Sequence, residues 1–530
     1  MDASSRPLCL EGTRVAVQTH LVNLLSHRST SLHCEVTWLV GLAGAGKSTL
    51  LNSIAEHFRT LHRCGAFIFF DRSDPANSDP SRVIPTLAYH LAQFSAPFAK
   101  RLDEQIETRP DVLRSSLEAQ FQMLLAEPSK PVGAIMNHPS IVIIIDGLDE
   151  CGTEKSRRGL FEIFSKHLSA LPSMFRILIA SRDEKDIRTA FSQPNVERVP
   201  LRTDDDATAH DIAEYFRQRL TSIGKNSELP DWPRPEDIEQ LTRCAGGLFI
   251  WASTAVGFIE DGLPNKRLQI LFDISMQGES LTKLDALYQA ALEHQFQSFL
   301  PREFESLRRI LGAVVVGRER LTDDVLSKLL EMESSDVREI LSRLRSLLQW
   351  SPGEPITVLH ASFPDFLGDH RRCRDRRWHI DEPTHHRDFA ISCLRIMRNL
   401  LRFNICGLDT SYLRNKAIDG INDLVEENIT TDLMYGCQYW VEHLHLGVTA
   451  SSDIGPFPDE IRFLLEEQFL YWLEVFSLKN CFRIVPKILG VVGEWCKVWM
   501  SSSRWSVEED SPFDANRNIA PSWHPTFRMR

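Results

Sequence analysis

Gly41-Leu42-Ala43-Gly44-Ala45-Gly46-Lys47-Ser48 decides how this chain is read. It fits the pattern G-x-x-x-x-G-K-[ST] at every fixed position. Glycines at such positions allow left-handed backbone angles, so successive N–H groups can converge on one anion. The β-rich run Glu35-Val36-Thr37-Trp38-Leu39-Val40 precedes the loop. From Ser48 onward Leu50, Leu51, Ile54, Ala55 and Phe58 recur on one helical face. A buried strand, a glycine loop and a helix N-terminus form the context in which such a loop cradles phosphates. Gly41, Gly44, Ala45, Gly46, Lys47, Ser48 and Thr49 are therefore the nucleotide-binding candidates. Lys47 would neutralise the β- and γ-phosphates of ATP or GTP, and the Ser48 hydroxyl would ligate Mg2+.

Outward from the loop, buried strands alternate with helices. Ala66–Phe70 reads as a second strand, running into the loop chemistry of Asp71-Arg72-Ser73-Asp74-Pro75. Helices are expected around Val83–Phe94 and Leu113–Leu125. Ile141-Val142-Ile143-Ile144-Ile145 has no polar residue, as expected of a parallel strand covered on both faces. Phe161–Leu168 follows as a helix, then strands at Arg176–Ala180 and Val196–Val199. This alternation predicts a doubly wound α/β domain. Before it, Val15, Val17, Leu21, Leu24 and Leu25 mark an amphipathic helix. After about residue 205 helical periodicity dominates. One such helix carries Val337, Ile340, Leu341, Leu344, Leu347 and Leu348, with Ser334-Ser335-Asp336 as its cap. The turn cluster Ser351–Pro355 and the β-like run Ile356–Leu359 follow, so this part reads as a winged helix.

The carboxylates come next. Asp146-Gly147-Leu148-Asp149-Glu150 closes the isoleucine-rich strand. Asp146 could hold Mg2+ through water, and either Asp149 or Glu150 could orient an attacking water. A solvated acidic turn is the bland alternative. Ser181-Arg182 ends another buried strand, where an arginine either touches a γ-phosphate or lies on the surface. His360 follows the late β-like run and on residue type alone is a packed or exposed histidine. His385-His386 and His443-x-His445 lack the spacing of a zinc site. Trp38, Trp251, Trp440 and Trp472 sit in apolar periodic stretches and read as core. The arginine-rich stretch His370–Asp381 reads as a solvated linker.

Composition narrows the class. The chain has 530 residues, 43% hydrophobic and 25% charged, which excludes a disordered or coiled-coil protein. Its net charge of −12 argues against nucleic acid as a general partner. The longest uncharged apolar stretch, Cys244–Ile259, is shorter than the about 20 residues a bilayer needs and reads as one buried helix. The N-terminus has no apolar signal core. Eleven cysteines without a C-x-x-C read as reduced core thiols, and a cytoplasmic location is expected.

These residues together resemble the fungal NACHT-domain NTPases of the STAND class of signalling P-loop proteins, of the kind described as nephrocystin-like. The likeness spans about residues 7–500. It rests on Cys9–Arg14, Gly44–Thr49, Phe69-Phe70 with Arg72, Thr86–Leu91, Ile145–Cys151, Ile179–Arg182, Gly247–Ala252 and His360–Leu367. The resemblance implies a five-stranded parallel core with the Arg182 strand between those of the P-loop and Asp146. It assigns Arg182 to a sensor position and His360 to a contact with the β-phosphate of ADP. It divides the chain into an N-terminal lead-in (1–35), a NACHT P-loop NTPase core (36–204), an all-α helical subdomain (205–299) and a winged-helix subdomain (300–370). A C-terminal helical region (371–500) and a disordered tail (501–530) follow. Many STAND proteins pack a proline of the helical subdomain on adenine, whereas this chain has Gly247-Leu248-Phe249, so the base contact is unassigned. The family usually adds an effector domain before and repeats after the NACHT, so a stripped-down or truncated member is expected.

The expected function is a Mg-dependent nucleotide switch with slow ATP or GTP hydrolysis. Its setting would be self/non-self recognition or programmed-cell-death-type signalling, with output through self-association or other signalling proteins. The alternative is a non-catalytic nucleotide-binding scaffold. A helicase or AAA+ motor is disfavoured, because helicase motifs and a basic stripe are not found.

Overall fold

A computed structural model describes residues 7–27, 34–72, 74–133, 139–168, 171–193, 196–275, 280–410, 412–448 and 457–501. The expected tail lies outside these residues, apart from Ser501. Among the described residues, no helix is long and apolar enough to cross a membrane.

Five strands form one sheet in the order β2-β3-β4-β1-β5. They are β1 (Glu35–Val40), β2 (Cys64–Phe69), β3 (Ile141–Asp146), β4 (Phe175–Ser181) and β5 (Val196–Pro200). Every pairing is parallel, with Trp38 beside Ile179, Ile144 beside Leu178 and Phe69 beside Asp146. The Arg182 strand thus lies between the P-loop strand and the Asp146 strand, as the resemblance implies.

The apolar run of β3 explains why the sheet is covered twice. Val142 and Ile144 join a core with Leu50, Leu51, Ile54 and Phe58 of the Lys47–Thr60 helix. Ile141, Ile143 and Ile145 join the opposite core, with Ile84, Leu87 and Leu91 of the Val83–Phe94 helix and Leu160 and Phe164 of the Glu154–His167 helix. A side-chain period of two in a strand with no polar interior position sends alternate isoleucines to opposite cores. The β1–loop–helix connection is held at the C-terminal edge of this sheet, where ligands of open parallel sheets bind.

Beyond β5 the chain is almost wholly helical. One continuous apolar cluster runs from Ile212 to Val492. It includes the helices Asp206–Asn226, Phe249–Glu260, Ser280–Phe296, Pro301–Val316, Glu382–Leu400 and Thr431–Val448. Within it, Pro301–Val316, Asp323–Leu330 and Ser334–Arg343 are followed by an antiparallel pair, β6 (Leu348–Gln349) and β7 (Thr357–Val358). Trp38, Trp251, Trp440 and Trp472 are all buried, as their apolar surroundings suggest.

Several local expectations are corrected. The stretch Leu113–Leu125 is a 3-10 turn at Val112–Arg114, an α-turn Leu117–Phe121 capped by Ser116, and a π-helical turn at Gln122–Ala126. A helix that the sequence reading missed occupies Ala96–Thr108, capped by Ser95. Ser334 is inside its helix rather than its cap; Glu333 holds that position without a side-chain hydrogen bond. Leu344, Leu347 and Leu348 lie past the end of that helix, and Leu348 is in β6. The stretch His370–Asp381 is a packed strap, not a solvated linker. Cys373, Trp378 and Ile380 are buried, and Arg372 grips the Asp285 carboxylate at 2.6 and 3.2 Å. Arginine-rich sequence looked solvated because the paired carboxylate lies 87 residues upstream.

Cys244–Ile259 is likewise not one helix. Gly246 and Gly247 have φ of 53° and 79°, so the helices Pro235–Ala245 and Phe249–Glu260 are separate. At Gly247 an added Cβ would lie 1.7 Å from the Thr203 carbonyl oxygen. Gly247→Ala is therefore expected to destabilise the protein by about 2–4 kcal/mol, from left-handed strain plus a backbone clash. A melting midpoint equal to the wild type's would contradict this.

Candidate functional site

The loop that opens the sequence reading spans β1 and the helix Lys47–Thr60. Gly44 has φ of 76° and Gly46 of 90°. A Cβ on Gly44 would sit 2.1 Å from Ile250 Cγ2, so only glycine lets the helix starting at Phe249 approach. That approach is fixed by a hydrogen bond from Ile250 N–H to the Gly44 carbonyl at 3.1 Å. Gly41 is tied to β4, its N–H donating to the Ser181 carbonyl at 3.3 Å. Arg14 braces the loop from the lead-in. It donates to the Ala45 carbonyl at 3.0 Å and to Thr208 Oγ1 at 2.8 Å, and it lies over the Phe249 ring at 4.9 Å. Ser48 is exposed on the first helical turn, and the Thr49 carbonyl accepts from Ser53 Oγ at 3.1 Å.

Lys47 folds its ammonium back on the loop, donating to the carbonyls of Gly41 and Leu42, each at 2.8 Å. Burial pushes its pKa down, while Asp149, Asp146 and Glu150 pull it up and Arg182 opposes them. Those four charged groups therefore face one ammonium. Asp146, at the end of β3, is almost fully buried. Gly147, with φ of 71°, turns the chain into the short 3-10 turn Leu148–Glu150. Asp149 is also buried, and its carboxylate accepts from the Arg182 backbone N–H at 3.0 Å and pairs with Arg182 Nε at 3.2 Å. Glu150 differs. Burial first, then the negative neighbours Asp149, Asp71 and Asp146, push its carboxyl up to about 7, with Arg72 opposing. The Arg72 backbone N–H reaches Glu150 Oε2 at 3.4 Å.

His360 joins this cluster from far along the chain. Its Cε1 lies 3.9 Å from where a Gly44 Cβ would be. Burial, then the cations Arg182 and Lys47, push its pKa down to about 4. Its Nδ1 accepts the Ser362 N–H at 3.1 Å and meets Ser362 Oγ at 2.7 Å, and that hydroxyl is in turn 2.8 Å from Tyr288 OH. The imidazole is thus held against the loop by Ser362, whose hydroxyl is in turn fixed by Tyr288.

The structure brings Lys47, Asp146, Asp149, Glu150, Arg182 and His360 into one electrostatic cluster beside Gly41–Ser48. Three participants escaped the sequence reading. Arg157, buried on the Glu154–His167 helix, donates to the Asp149 carbonyl at 2.7 Å and pairs with Asp186 at 2.8 Å. It thereby ties the Asp149 turn to the loop that follows Arg182. Its position eight residues past Asp149 is the only signal the sequence offered. Asp71 and Arg320 pair with each other at 2.6 Å, and no local pattern links residues 249 apart.

The donor set suits a hard divalent cation beside phosphates. Ser48 offers a hydroxyl and Asp146 a buried carboxylate, and Mg2+ takes few protein oxygens and completes its shell with phosphate and water. Glu150, whose carboxyl is raised first by burial and then by Asp149, Asp71 and Asp146, adds a carboxylate cluster beside which such a cation would be favourable. The histidines singled out by sequence belong elsewhere: His386 Nδ1 meets His443 Nδ1 at 2.8 Å, and His443 Nε2 meets Tyr435 OH at 2.9 Å. Among the described residues, no group of three or more His, Cys, Asp or Glu is arranged to hold a metal ion.

Residues 19–182 match the family described as Nephrocystin 3, N-terminal. No curated protein matches the chain. Among solved structures, the chain is similar to a Signal Transduction ATPase with Numerous Domains (STAND) protein with a tetratricopeptide repeat sensor from Pyrococcus horikoshii. The identity is 14%, the TM-score 0.43, and the overlap covers 94% of this chain and 65% of that one. The chain thus spans about two thirds, and slightly less, of that relative's length. It is also similar to Cdc6p from Pyrobaculum aerophilum, at 12% identity and TM-score 0.33, over 68% of this chain and 94% of that one. Drosophila ORC bound to DNA overlaps at 11% identity and TM-score 0.28, over 70% and 89%. At such scores the overlaps carry no residue-by-residue correspondence. The parallel sheet order, the glycine loop at its edge and the match over 19–182 make this part of the chain similar to the nephrocystin-like N-terminal domains, with the fold of a P-loop NTPase.

Proposed function

We propose that the protein is a nucleotide-driven switch that binds ATP or GTP with Mg2+ and hydrolyses it slowly. The observation that carries this reading is convergence. Lys47 and Arg182 from the sheet domain and His360 from beyond β7 face one another across the P-loop. A polyphosphate in the loop would touch groups from both halves of the chain, so its length can bias how the halves pack. Arg182 supplies the discriminating contact. It is now held by Asp149 at 3.2 Å, and a γ-phosphate would compete for it. Ser48 and Asp146 would hold Mg2+, which lends the phosphates positive charge. Glu150, the carboxyl with the raised pKa, is better suited than Asp149 to orient water, because Asp149 is committed to Arg182.

In this reading residues 36–204 are the NTPase core, 205–299 a helical subdomain, 300–370 a winged-helix subdomain and 371–500 the output-bearing helices. The partners would be cytoplasmic signalling proteins or further copies of this chain. Nucleotide released by acid from the purified protein, then identified by mass spectrometry, tests the proposal. A nucleoside di- or triphosphate is expected, and its base decides between adenine and guanine. No retained nucleotide, even after incubation with Mg-ATP and Mg-GTP, would sink it. The locked Asp149–Arg182 pair favours one second reading, a scaffold that binds nucleotide without turnover. Turnover of the wild type indistinguishable from background would select that reading.

A further inference from the structure

The connection 317–321, between the helices Pro301–Val316 and Asp323–Leu330, touches two distant parts of the molecule through successive side chains. On one side, Arg320 pairs with Asp71 at 2.6 Å. Asp71 follows β2, and the backbone N–H of the next residue, Arg72, reaches Glu150 Oε2 at 3.4 Å, so this contact reaches the nucleotide site. On the other side, Arg318 pairs with Glu442 at 3.0 Å, and its backbone N–H donates to Tyr435 OH at 3.2 Å. Its guanidinium also lies 3.4 Å from His386 Nε2. Glu442 and Tyr435 belong to the Thr431–Val448 helix, and Tyr435 continues into the buried His443–His386 pair. The middle residue, Glu319, is hydrogen-bonded by Tyr439 and faces the negative charge of Asp74.

We propose that 317–321 is a strap coupling the nucleotide site to the C-terminal helices, with Arg320–Asp71 as its releasable closing pair. Three features argue for release rather than permanent packing. The pair is only partly buried, with the Arg320 side chain 32% and Asp71 19% exposed, so water can replace either partner. Burial first and then the negative charge of Asp74 push the Glu319 carboxyl up, so the charge next to the attractive pair opposes the closed packing. The Arg318 end is anchored on several groups, so when Arg320 lets go the strap stays with the C-terminal helices and leaves the sheet domain. The acidic end of the latch acts on the same field as Glu150, which makes the two ends reciprocal. A charge change at the nucleotide site alters the hold on Arg320, and movement of the Thr431–Val448 helix alters the charge beside Glu150. The regulatory half of this proposal rests on the nucleotide reading given above; the existence of the latch does not.

Hydrogen exchange measured by mass spectrometry on the full chain tests the latch. Arg320→Ala and the isosteric Asp71→Asn should each speed exchange at both 66–72 and 317–322. The double variant should do no more than the larger single change, because both remove one interaction. Lys47→Ala should not reproduce that pattern. Unchanged exchange at 66–72 in Arg320→Ala, or strictly additive effects in the double variant, would overturn the latch. Release of a fluorescent nucleoside diphosphate then tests its regulatory role. Both single variants should release it faster, on the order of tenfold, and Arg318→Ala should do so to a lesser degree. Binding retained at the wild-type release rate in Arg320→Ala refutes regulation while leaving the nucleotide reading intact. A wild type that binds no nucleotide refutes that reading and the regulatory half together.

Discussion

Lys47→Ala is expected to lose nucleotide affinity by about two to three orders of magnitude while keeping a melting temperature close to the wild type's. The ammonium is held by the Gly41 and Leu42 carbonyls at 2.8 Å, so it is already positioned at the mouth of the loop. A phosphate entering there exchanges neutral carbonyl acceptors for charged ones. Charge-assisted hydrogen bonds of this kind contribute about 1.5–3 kcal/mol each, and losing one or two of them corresponds to about 10²–10³ in dissociation constant. The folded chain loses less. Burial holds the Lys47 pKa down, so the folded state already carries a cost for the charged form that alanine removes. Against that, Asp146, Asp149 and Glu150 lose a nearby cation. The two effects oppose each other, and the stability change is accordingly small. Titration calorimetry with Mg-ATP and Mg-GTP measures the first quantity and thermal melting the second. Wild-type affinity in this variant would remove the ground for reading Gly41–Ser48 as a phosphate cradle.

What the sequence revealed and what it hid divide along physical lines. β1, β2, β3 and β4 were legible because a strand covered on both faces is mostly apolar, as Ile141–Ile145 is throughout, whereas β5, an edge strand with Glu197 and Arg198 exposed, was legible only from its place in the strand–helix alternation. The P-loop was legible because its backbone chemistry needs glycine and lysine at fixed spacing. Asp146 and Arg182 were legible because both stand at the carboxyl ends of such strands. The helix Ala96–Thr108 was missed because it buries only Phe98 and Leu102 as apolar anchors and reads as polar. The break at Gly246-Gly247 was hidden by uninterrupted apolar sequence on both sides. Its cause is the Thr203 carbonyl, which lies in a different part of the chain. Arg372 and Arg320 were misread or passed over for the same reason. A charged residue looks solvated until its carboxylate partner is known, and here those partners are 87 and 249 residues away. His360 lies between these cases. Its residue type carried no signal; the resemblance singled it out, and its place beside the glycine loop gives that expectation a physical footing.

Glu150→Gln should separate water activation from nucleotide binding. Turnover should fall by about 10²–10⁴, the usual worth of a general base, while the dissociation constant for Mg-nucleotide changes little, because Gln keeps the shape and loses only the charge. In the wild type the rate should rise with pH and reach half its plateau near the carboxyl's pKa of about 7, since only the ionised form accepts a proton. The same shift predicts a stability effect that needs no turnover. The folded pKa is raised from 4.5 to about 7, so the folded state binds the proton more tightly than the unfolded chain does. The favourable contribution is fully present below pH about 4.5 and is lost as pH rises through about 7. Glutamine, neutral throughout, escapes that loss. Glu150→Gln should therefore match the wild type at pH 4.5 and exceed it at pH 8, by at most about 3 kcal/mol before solvent screening reduces it. The two readouts are independent. A flat pH–rate profile with the stability difference intact would leave Glu150 a half-buried carboxyl with no part in turnover and move water activation to Asp149, which would first have to leave Arg182. Loss of the stability difference as well would mean that neither burial nor the neighbouring Asp149, Asp71 and Asp146 raise the Glu150 carboxyl.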